Sequence, residues 1–169
     1  MTREKFIEVL DKKGYSYRIE GDLIVVTDEG GVRLEALTSL PSGVVFENEG
    51  DVRLEALTSL PPGVKFENGG HVSLDALTSL PPGVVFKNGG SVYLDALTSI
   101  PSGVEFKNGR DVWLRALTSL PSGVVFENGG GVSLDALIGD YFHNWSGNIK
   151  GIESNRLLNL MINKGIFER

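Results

Sequence analysis

GVRLEALTSLPSGVVFENEG, residues 31–50, is the first complete copy of the unit that decides the fold. The same twenty-residue pattern starts again four times, and a sixth copy begins before the pattern breaks; these copies start at Asp51, His71, Ser91, Asp111 and Gly131. A fixed period of this size is typical of solenoid proteins, in which each repeat forms one coil that packs only against its neighbours. The repeat therefore predicts a long, thin hydrophobic core.

Each unit contains two short segments in which apolar and polar residues alternate. The first reads Val-x-Leu, and the second reads Val-x-Phe after a Leu-Pro-x-Gly corner. Alternation with a period of two predicts strands whose apolar side chains face the core, while intervening side chains such as Arg33 and Val45 face water. Proline cannot donate to a sheet, so it marks the corner, and Gly43 with its equivalents allows a positive φ there. We expect two short parallel strands per coil.

Stacking of identical coils brings like residues within about 4.8 Å of each other, the spacing of neighbouring strands. One predicted column is an internal row of phenylalanines, at Phe46, Phe66, Phe86, Phe106 and Phe126. A second column consists of asparagines that can satisfy backbone groups at a turn, at Asn48, Asn68, Asn88, Asn108 and Asn128. Both columns are interpreted as structural.

Residues 1–30 differ from the repeat. Thr2 is a good N-cap for a helix that Gly14 can end, and alternating residues then turn at Gly21 in the manner of a β-hairpin. An array exposes the apolar edge of its first coil, so we interpret this segment as an N-terminal cap, with a separate functional domain as the alternative.

Residues 138–169 follow the last repeat. An aromatic cluster at Tyr141, Phe142 and Trp145 precedes a predicted helix that carries Leu157, Leu158, Met161 and Ile162 and can end at Gly165. We interpret this segment as a C-terminal cap; the alternative is a docking surface that includes His143, Trp145 and Arg156. The predicted fold class is therefore α+β, a solenoid of five to six parallel β coils over residues 31–137 with a helix-hairpin cap before it and a helical cap after it.

The pattern V-x-L-x-A-L-T-S-L-P-x-G-V, as at residues 52–64, resembles the short Leu-Pro-type leucine-rich repeats of bacterial and phage proteins. The resemblance covers residues 31–137 and implies a protein-binding module that holds its partner on the strand face. The chain departs from the family where Ala56 and its equivalents lie just before a leucine, because the family's asparagine ladder is missing from that corner. Twenty residues also leave no room for a helix in each coil, so a flat β-solenoid is as plausible as a curved horseshoe.

Composition excludes several classes of function. The net charge is −6, which disfavours nucleic acid and anionic membrane surfaces as partners because both attract basic patches. No apolar run approaches the roughly 18 residues of a spanning helix, so we expect neither a signal peptide nor a membrane anchor. The chain also contains no cysteine, and we expect a cytoplasmic location. The two histidines, His71 and His143, do not form a ligand cluster, so no metal or other cofactor is predicted.

The variable positions of the repeat are the candidate site. Positions one, three and five of the unit vary while the core positions barely change, and we expect all three to point outward on one strand face. Large aromatic residues next to charged ones are typical of protein interfaces, although solvated strand residues are the plain alternative. The predicted partner-binding residues are Arg33, Arg53, His71, Tyr93, Asp95, Trp113 and Arg115. The sequence thus predicts a non-enzymatic protein-binding module, a monomer or weak oligomer; the alternative is a structural or assembly component, such as a phage or cell-surface subunit, with contacts through the caps.

The order Asp51, His71, Ser91 at position one suggests a catalytic relay. A triad needs its nucleophile and base within about 2.6 to 3.2 Å, whereas parallel side chains on stacked strands start about 4.8 Å apart. No G-x-S-x-G sequence surrounds Ser91. We therefore predict no catalytic residue here and interpret the column as drift at a permissive turn.

Overall fold

The computed structural model describes residues 1–137, 148–149, 158–159, 161–163 and 165, with backbone alone for 148–149. The elements in chain order are α1 (Arg3–Lys13), β1 (Tyr17–Glu20), β2 (Leu23–Val26), β3 (Val32–Arg33), β4 (Val44–Phe46), β5 (Val52–Arg53), β6 (Lys65–Phe66), β7 (Val72–Ser73), β8 (Val85–Phe86), β9 (Val92–Tyr93), β10 (Glu105–Phe106), β11 (Val112–Trp113), β12 (Val125–Phe126), β13 (Val132–Ser133) and β14 (Asn148–Ile149). Residues 135–137, 158–159 and 161–163 are helical.

The chain forms a parallel β-solenoid of about six turns with few helices. Sheet 1 has the strand order β1-β2-β4-β6-β8-β10-β12, and sheet 2 has the order β14-β13-β11-β9-β7-β5-β3. Within the repeats each strand residue pairs with the equivalent residue twenty positions later, as Val52 does with Val72 and Phe46 with Phe66. The prediction of two short parallel strands per coil is confirmed.

The core lies between the two sheets and is built from the predicted columns. The five repeat phenylalanines are at most 1% exposed, and consecutive rings stack with centroids 4.9–5.5 Å apart and interplanar angles of 2–11°. Each buried phenylalanine contributes about 1.5 to 3 kcal/mol through burial. The predicted positive φ at the proline corner is also confirmed, with values of 73–85° at Gly43 and its four equivalents.

The asparagine column closes the opposite corner. Asn88 is 1% exposed, and its Nδ2 donates to the carbonyl of Gly70 in the preceding unit at 3.0 Å and to that of Ser91, the first residue of the next unit, at 3.2 Å. The predicted satisfaction of backbone groups is confirmed. The amides do not bond one another in this column, because the Oδ1 atoms of Asn48, Asn68, Asn88 and Asn108 accept no hydrogen bond from any described residue.

The N-terminal segment supplies the first two strands of sheet 1 and contacts the first strand of sheet 2. Thr2 accepts a hydrogen bond from the N–H of Lys5 at the start of α1, and Phe6 and Leu10 of α1 are fully buried in the core. Strand β2 joins β4 in parallel, whereas β1 pairs with β2 antiparallel. At the first strand of sheet 2, the Tyr15 hydroxyl accepts from the N–H of Arg33 at 2.8 Å and donates to its carbonyl at 3.3 Å.

The described C-terminal residues contact the other end. Leu158 and Ile162 are buried in the core. The side-chain amide of Asn159 bonds both backbone groups of Phe126 in β12, accepting from its N–H at 2.9 Å and donating to its carbonyl at 2.8 Å. Strand β14 pairs antiparallel with β13 at the end of sheet 2. The proposed docking residues His143, Trp145 and Arg156, and the aromatics Tyr141 and Phe142, lie outside the described residues.

One predicted orientation is wrong in the first coil. Val45 was expected in water, yet it is only 4% exposed, and its register neighbour Val25 is 1% exposed. The reason is that Arg18 of β1 reaches past β2 to Glu47, with Nη2 2.7 Å from Oε2, and so its side chain covers the outer surface of these two valines. No helix among the described residues is long and apolar enough to cross a membrane.

Candidate interaction face on sheet 2

The outward face of sheet 2 consists of positions three and five of the repeat, and we call it the interaction face. Its third-position residues are Arg33, Arg53, Ser73, Tyr93, Trp113 and Ser133, and its fifth-position residues are Glu35, Glu55, Asp75, Asp95, Arg115 and Asp135. The third-position residues stay partly exposed, as predicted, with one correction: Ser133 is only 5% exposed, because β14 pairs with its strand.

An aromatic pair occupies the centre of the interaction face. Strands β9 and β11 pair Tyr93 with Trp113, and the two rings stack with centroids 6.2 Å apart and an interplanar angle of 3°. The ring of His71 lies on the other side of Tyr93, at 6.0 Å and tilted by 54°. Strand pairing thus holds Tyr93 and Trp113 side by side, and the ring of His71, the residue before β7, lies next to Tyr93.

Arg115 extends this row. Its guanidinium carbon lies 4.5 Å from the centroid of the Trp113 ring, within range of a cation–π interaction. The same guanidinium bonds Asp95 at 3.0 Å and lies 3.8 Å from Asp135. The Arg115 side chain is 50% exposed, so these ion pairs contribute little to stability. Their effect is to fix the guanidinium against the aromatic pair.

Acidic side chains form the neighbouring column, at Glu55, Asp75 and Asp95. Burial raises the pKa of Asp75, and the charges of Asp95 and Glu55 raise it further, while a backbone hydrogen bond and Arg115 oppose the shift. In the part of the chain that the structure describes, Oε2 of Glu55 and Oδ1 of Asp95 are buried and accept no hydrogen bond. The column therefore carries more negative charge than its neighbours neutralise.

A shallow depression lies where the acidic column and the row of rings meet. It has a volume of ≈ 270 Å³ and is lined by Asp51, Arg53, His71, Ser73, Asp75 and Tyr93. Four of these six carry or can carry charge, so the depression is polar and suits a charged group better than an apolar one.

Position one of the repeat lies beside this face, and its polar side chains bond the backbone of the next coil, which corrects the sequence interpretation. Oδ1 of Asp51 accepts the backbone N–H of His71 at 2.9 Å, and Nδ1 of His71 accepts that of Ser91 at 2.9 Å. Asp111 does the same for Gly131 at 2.7 Å. These side chains therefore support the backbone of the next coil, and the interpretation as drift at a permissive turn is wrong. The aspartate, histidine and serine bond backbone groups and do not form a side-chain relay.

The remaining predicted site residues lie on the same sheet. Arg33 is exposed at the first strand, where Tyr15 holds its backbone, and Nη2 of Arg53 lies 3.8 Å from Oδ2 of Asp51. Tyr93, Asp95, Trp113 and Arg115 form one connected group through the stacking and ion-pair contacts above. The sequence analysis missed Glu55 and Asp75, although acids at the same position of successive units gave the signal.

No family model, curated protein or solved structure matches this chain significantly. Among the described residues, no group of three or more histidine, cysteine, aspartate or glutamate side chains could hold a metal ion.

Proposed function

We propose that the chain is a protein-binding module and that its interaction face holds a positively charged, extended segment of another protein. The observation that supports this most directly is the stacked pair Tyr93 and Trp113 beside the acidic column of Glu55, Asp75 and Asp95. The resemblance of the repeats to leucine-rich repeats, whose partners lie on the strand face, points to the same surface.

The charged side chains of the interaction face determine which charge the proposed partner should carry. The interaction face carries five carboxylates against three guanidinium groups; the carboxylates are Glu35, Glu55, Asp75, Asp95 and Asp135. Two of the three arginines already contact carboxylates, Arg115 at 3.0 Å and Arg53 at 3.8 Å. Burial is the main cause of the raised pKa of Asp75, and repulsion by Asp95 and Glu55 adds to it; the positive charge of a partner lysine or arginine would offset that repulsion.

The aromatic pair supplies the apolar contact area. Tyrosine and tryptophan are enriched in interface hot spots, and a partner cation that lies over either ring gains a cation–π interaction of about 0.5 to 2 kcal/mol. A segment running along the stack would thus contact rings and carboxylates together.

A peptide array tests this proposal. Short synthetic peptides graded by net charge are probed with the full chain at low salt, and those that bind are measured again in solution by calorimetry. We expect binding peptides to be positively charged and their affinity to fall as the salt concentration rises, because exposed charges are screened. Binding that is independent of peptide charge would contradict the proposal.

A second candidate is an assembly component with contacts through the ends of the solenoid. Both sheets end on atypical elements, which we propose act as caps: Tyr15 covers the first strand of sheet 2 and Asn159 the last strand of sheet 1. The feature that favours assembly is the outer edge of β1, which no other strand of the described part of the chain pairs with.

A further inference from the structure

We propose that a second copy of this chain pairs with the outer edge of β1, so that two solenoids form a weak, symmetric dimer through a continuous sheet 1. This surface is distinct from the interaction face on sheet 2. The proposal follows from the exposure, the hydrogen-bonding direction and the charge order of four residues, Tyr17–Glu20.

The edge of β1 is accessible. Sheet 1 begins with β1, and among the described residues β1 pairs with β2 on one side only. Ile19 is 48% exposed and, with Met1, is one of two large hydrophobic residues so exposed in the described part of the chain. The side chains of Arg18 and Glu20 are 46% and 51% exposed. An exposed strand edge with an apolar residue at its centre is a template for pairing with another strand.

The backbone groups of Ile19 point toward the open edge. Thr27 donates its N–H to the carbonyl of Ser16, so Ser16 faces β2. In an antiparallel pair successive residues alternate between facing the partner strand and facing away. The register of Ile19 opposite Ile24 therefore directs the N–H and C=O groups of Tyr17 and Ile19 outward, where a second strand can bond them.

Charge selects one register for the second strand. With Ile19 opposite Ile19 of the second copy, the two residues exchange two backbone hydrogen bonds, and Arg18 lies opposite Glu20 of the second copy on both sides of the axis. If the second strand is shifted by two residues, the outward backbone groups can still bond each other, but Arg18 then lies opposite Arg18 of the second copy. Like charges repel in that register. The segment Arg18-Ile19-Glu20 is thus complementary to itself in the antiparallel direction.

The predicted dimer is weak because the contact is small. Stable protein interfaces bury about 1,200 to 2,000 Å² of surface, and one short strand pair buries much less. The expected behaviour is therefore a monomer–dimer equilibrium that shifts with protein concentration. Since the two solenoids extend in opposite directions from the central pair, each dimer would present two interaction faces, which strengthens binding to a partner with repeated sites.

Analytical ultracentrifugation of the full chain over a wide concentration range tests the proposal through a charge swap. Arg18→Glu places acids opposite acids, and Glu20→Arg places arginines opposite arginines, so each variant alone should stay monomeric at concentrations where the wild type dimerises. An equimolar mixture of the two variants should form heterodimers, because both cross-strand pairs are then of opposite charge. A mixture that stays monomeric while both variants are folded overturns the proposal, as does a wild type that is monomeric at every concentration.

Control variants separate pairing from folding. Ile19→Lys puts two ammonium groups at the centre of the pair without changing Arg18 or its contacts with Glu20 and Glu47, and it should abolish the dimer. Lys65→Glu, a charge reversal of the same size on β6 away from the edge, should leave the dimer unchanged. Circular dichroism verifies folding of each variant. Dimerisation that survives Ile19→Lys places the contact elsewhere and overturns the proposal.

Discussion

The Tyr15 hydroxyl bonds both backbone groups of Arg33, accepting from the N–H at 2.8 Å and donating to the C=O at 3.3 Å. Within the coils, these groups would be bonded by the adjacent strand. Val32 and Leu34 direct their N–H groups to Asp51 and Arg53 in the next coil, so Arg33 faces the opposite way, toward the end of the sheet. A single hydroxyl thus replaces a strand at the start of sheet 2.

Tyr15→Phe should destabilise the fold by about 0.5 to 1.5 kcal/mol, because it removes the hydroxyl that bonds both the N–H and the C=O group of Arg33. Denaturant-induced unfolding measures the change. Tyr17→Phe is the matched control, since its hydroxyl only donates to the exposed Asp11 at 2.9 Å, and it should cost less than about 0.5 kcal/mol. Equal losses for the two variants would contradict a special role for Tyr15.

Asn159 has the corresponding role at the other end, with hydrogen bonds of 2.9 and 2.8 Å to Phe126. Asn159→Ala should lower the free energy of unfolding by about 1 to 3 kcal/mol, because both backbone groups of Phe126 lose their partner. Asn163→Ala, at an exposed helical residue, is the control and should change stability by less than about 0.5 kcal/mol. Hydrogen exchange of the Phe126 amide should also become faster in Asn159→Ala alone.

Gly89→Ala should be among the most damaging substitutions in the repeat. A Cβ at this position would overlap the carbonyl of Gly69 in the preceding coil, so the coils would have to separate. Gly83→Ala is the comparison that measures the cost of a positive φ without a steric clash. The φ angle is +74° there, and no atom lies within 4 Å of the added Cβ. We expect a loss of about 1 to 2 kcal/mol for Gly83→Ala and clearly more for Gly89→Ala in thermal unfolding. A reversed order would contradict the role of coil spacing.

Asp75 should make stability depend on pH in a defined direction. Its pKa is raised in the folded state, mainly by burial and then by Asp95 and Glu55, so the folded chain binds the proton more tightly than the unfolded chain does. This favourable contribution is complete below the unfolded-state pKa and is lost as the pH rises through the folded-state pKa. Asp75→Asn should therefore gain stability relative to the wild type as the pH increases through that window.

Urea unfolding of both proteins at a series of pH values measures this difference. Glu8→Gln, at an exposed position on α1, controls for the general loss of one carboxylate and should show no comparable trend. A stability difference between Asp75→Asn and the wild type that is constant with pH, or that shrinks as the pH rises, would refute the crowding of charge in the acidic column.

The features that could be predicted are those set by the residues of a single coil and by its stacking on an equivalent coil. The phenylalanine column, the asparagine corner and the positive φ at Gly43 all follow from residue type and a twenty-residue period. Tyr15 and Asn159 could not be predicted, because their bonds to Arg33 and Phe126 depend on how the ends of the chain dock.

The candidate site was predictable only in part. The positions of Tyr93 and Trp113 follow from the repeat, so their proximity is a consequence of register. The position-one side chains were misinterpreted because an aspartate and a histidine can accept the same backbone N–H, which makes the column appear unconstrained in sequence. The excess charge around Asp75 depends on burial, which a sequence pattern does not give.

The most direct test of the central claim compares the wild type with Tyr93→Ala/Trp113→Ala in calorimetric titrations with the positively charged peptides selected on the array. The interaction-face account predicts a loss of affinity of at least about tenfold with little change in melting temperature, since interface aromatics commonly contribute more than about 1.4 kcal/mol. Lys87→Ala, on the outward face of sheet 1, should bind as the wild type does. Unchanged affinity in the folded double variant would contradict the account.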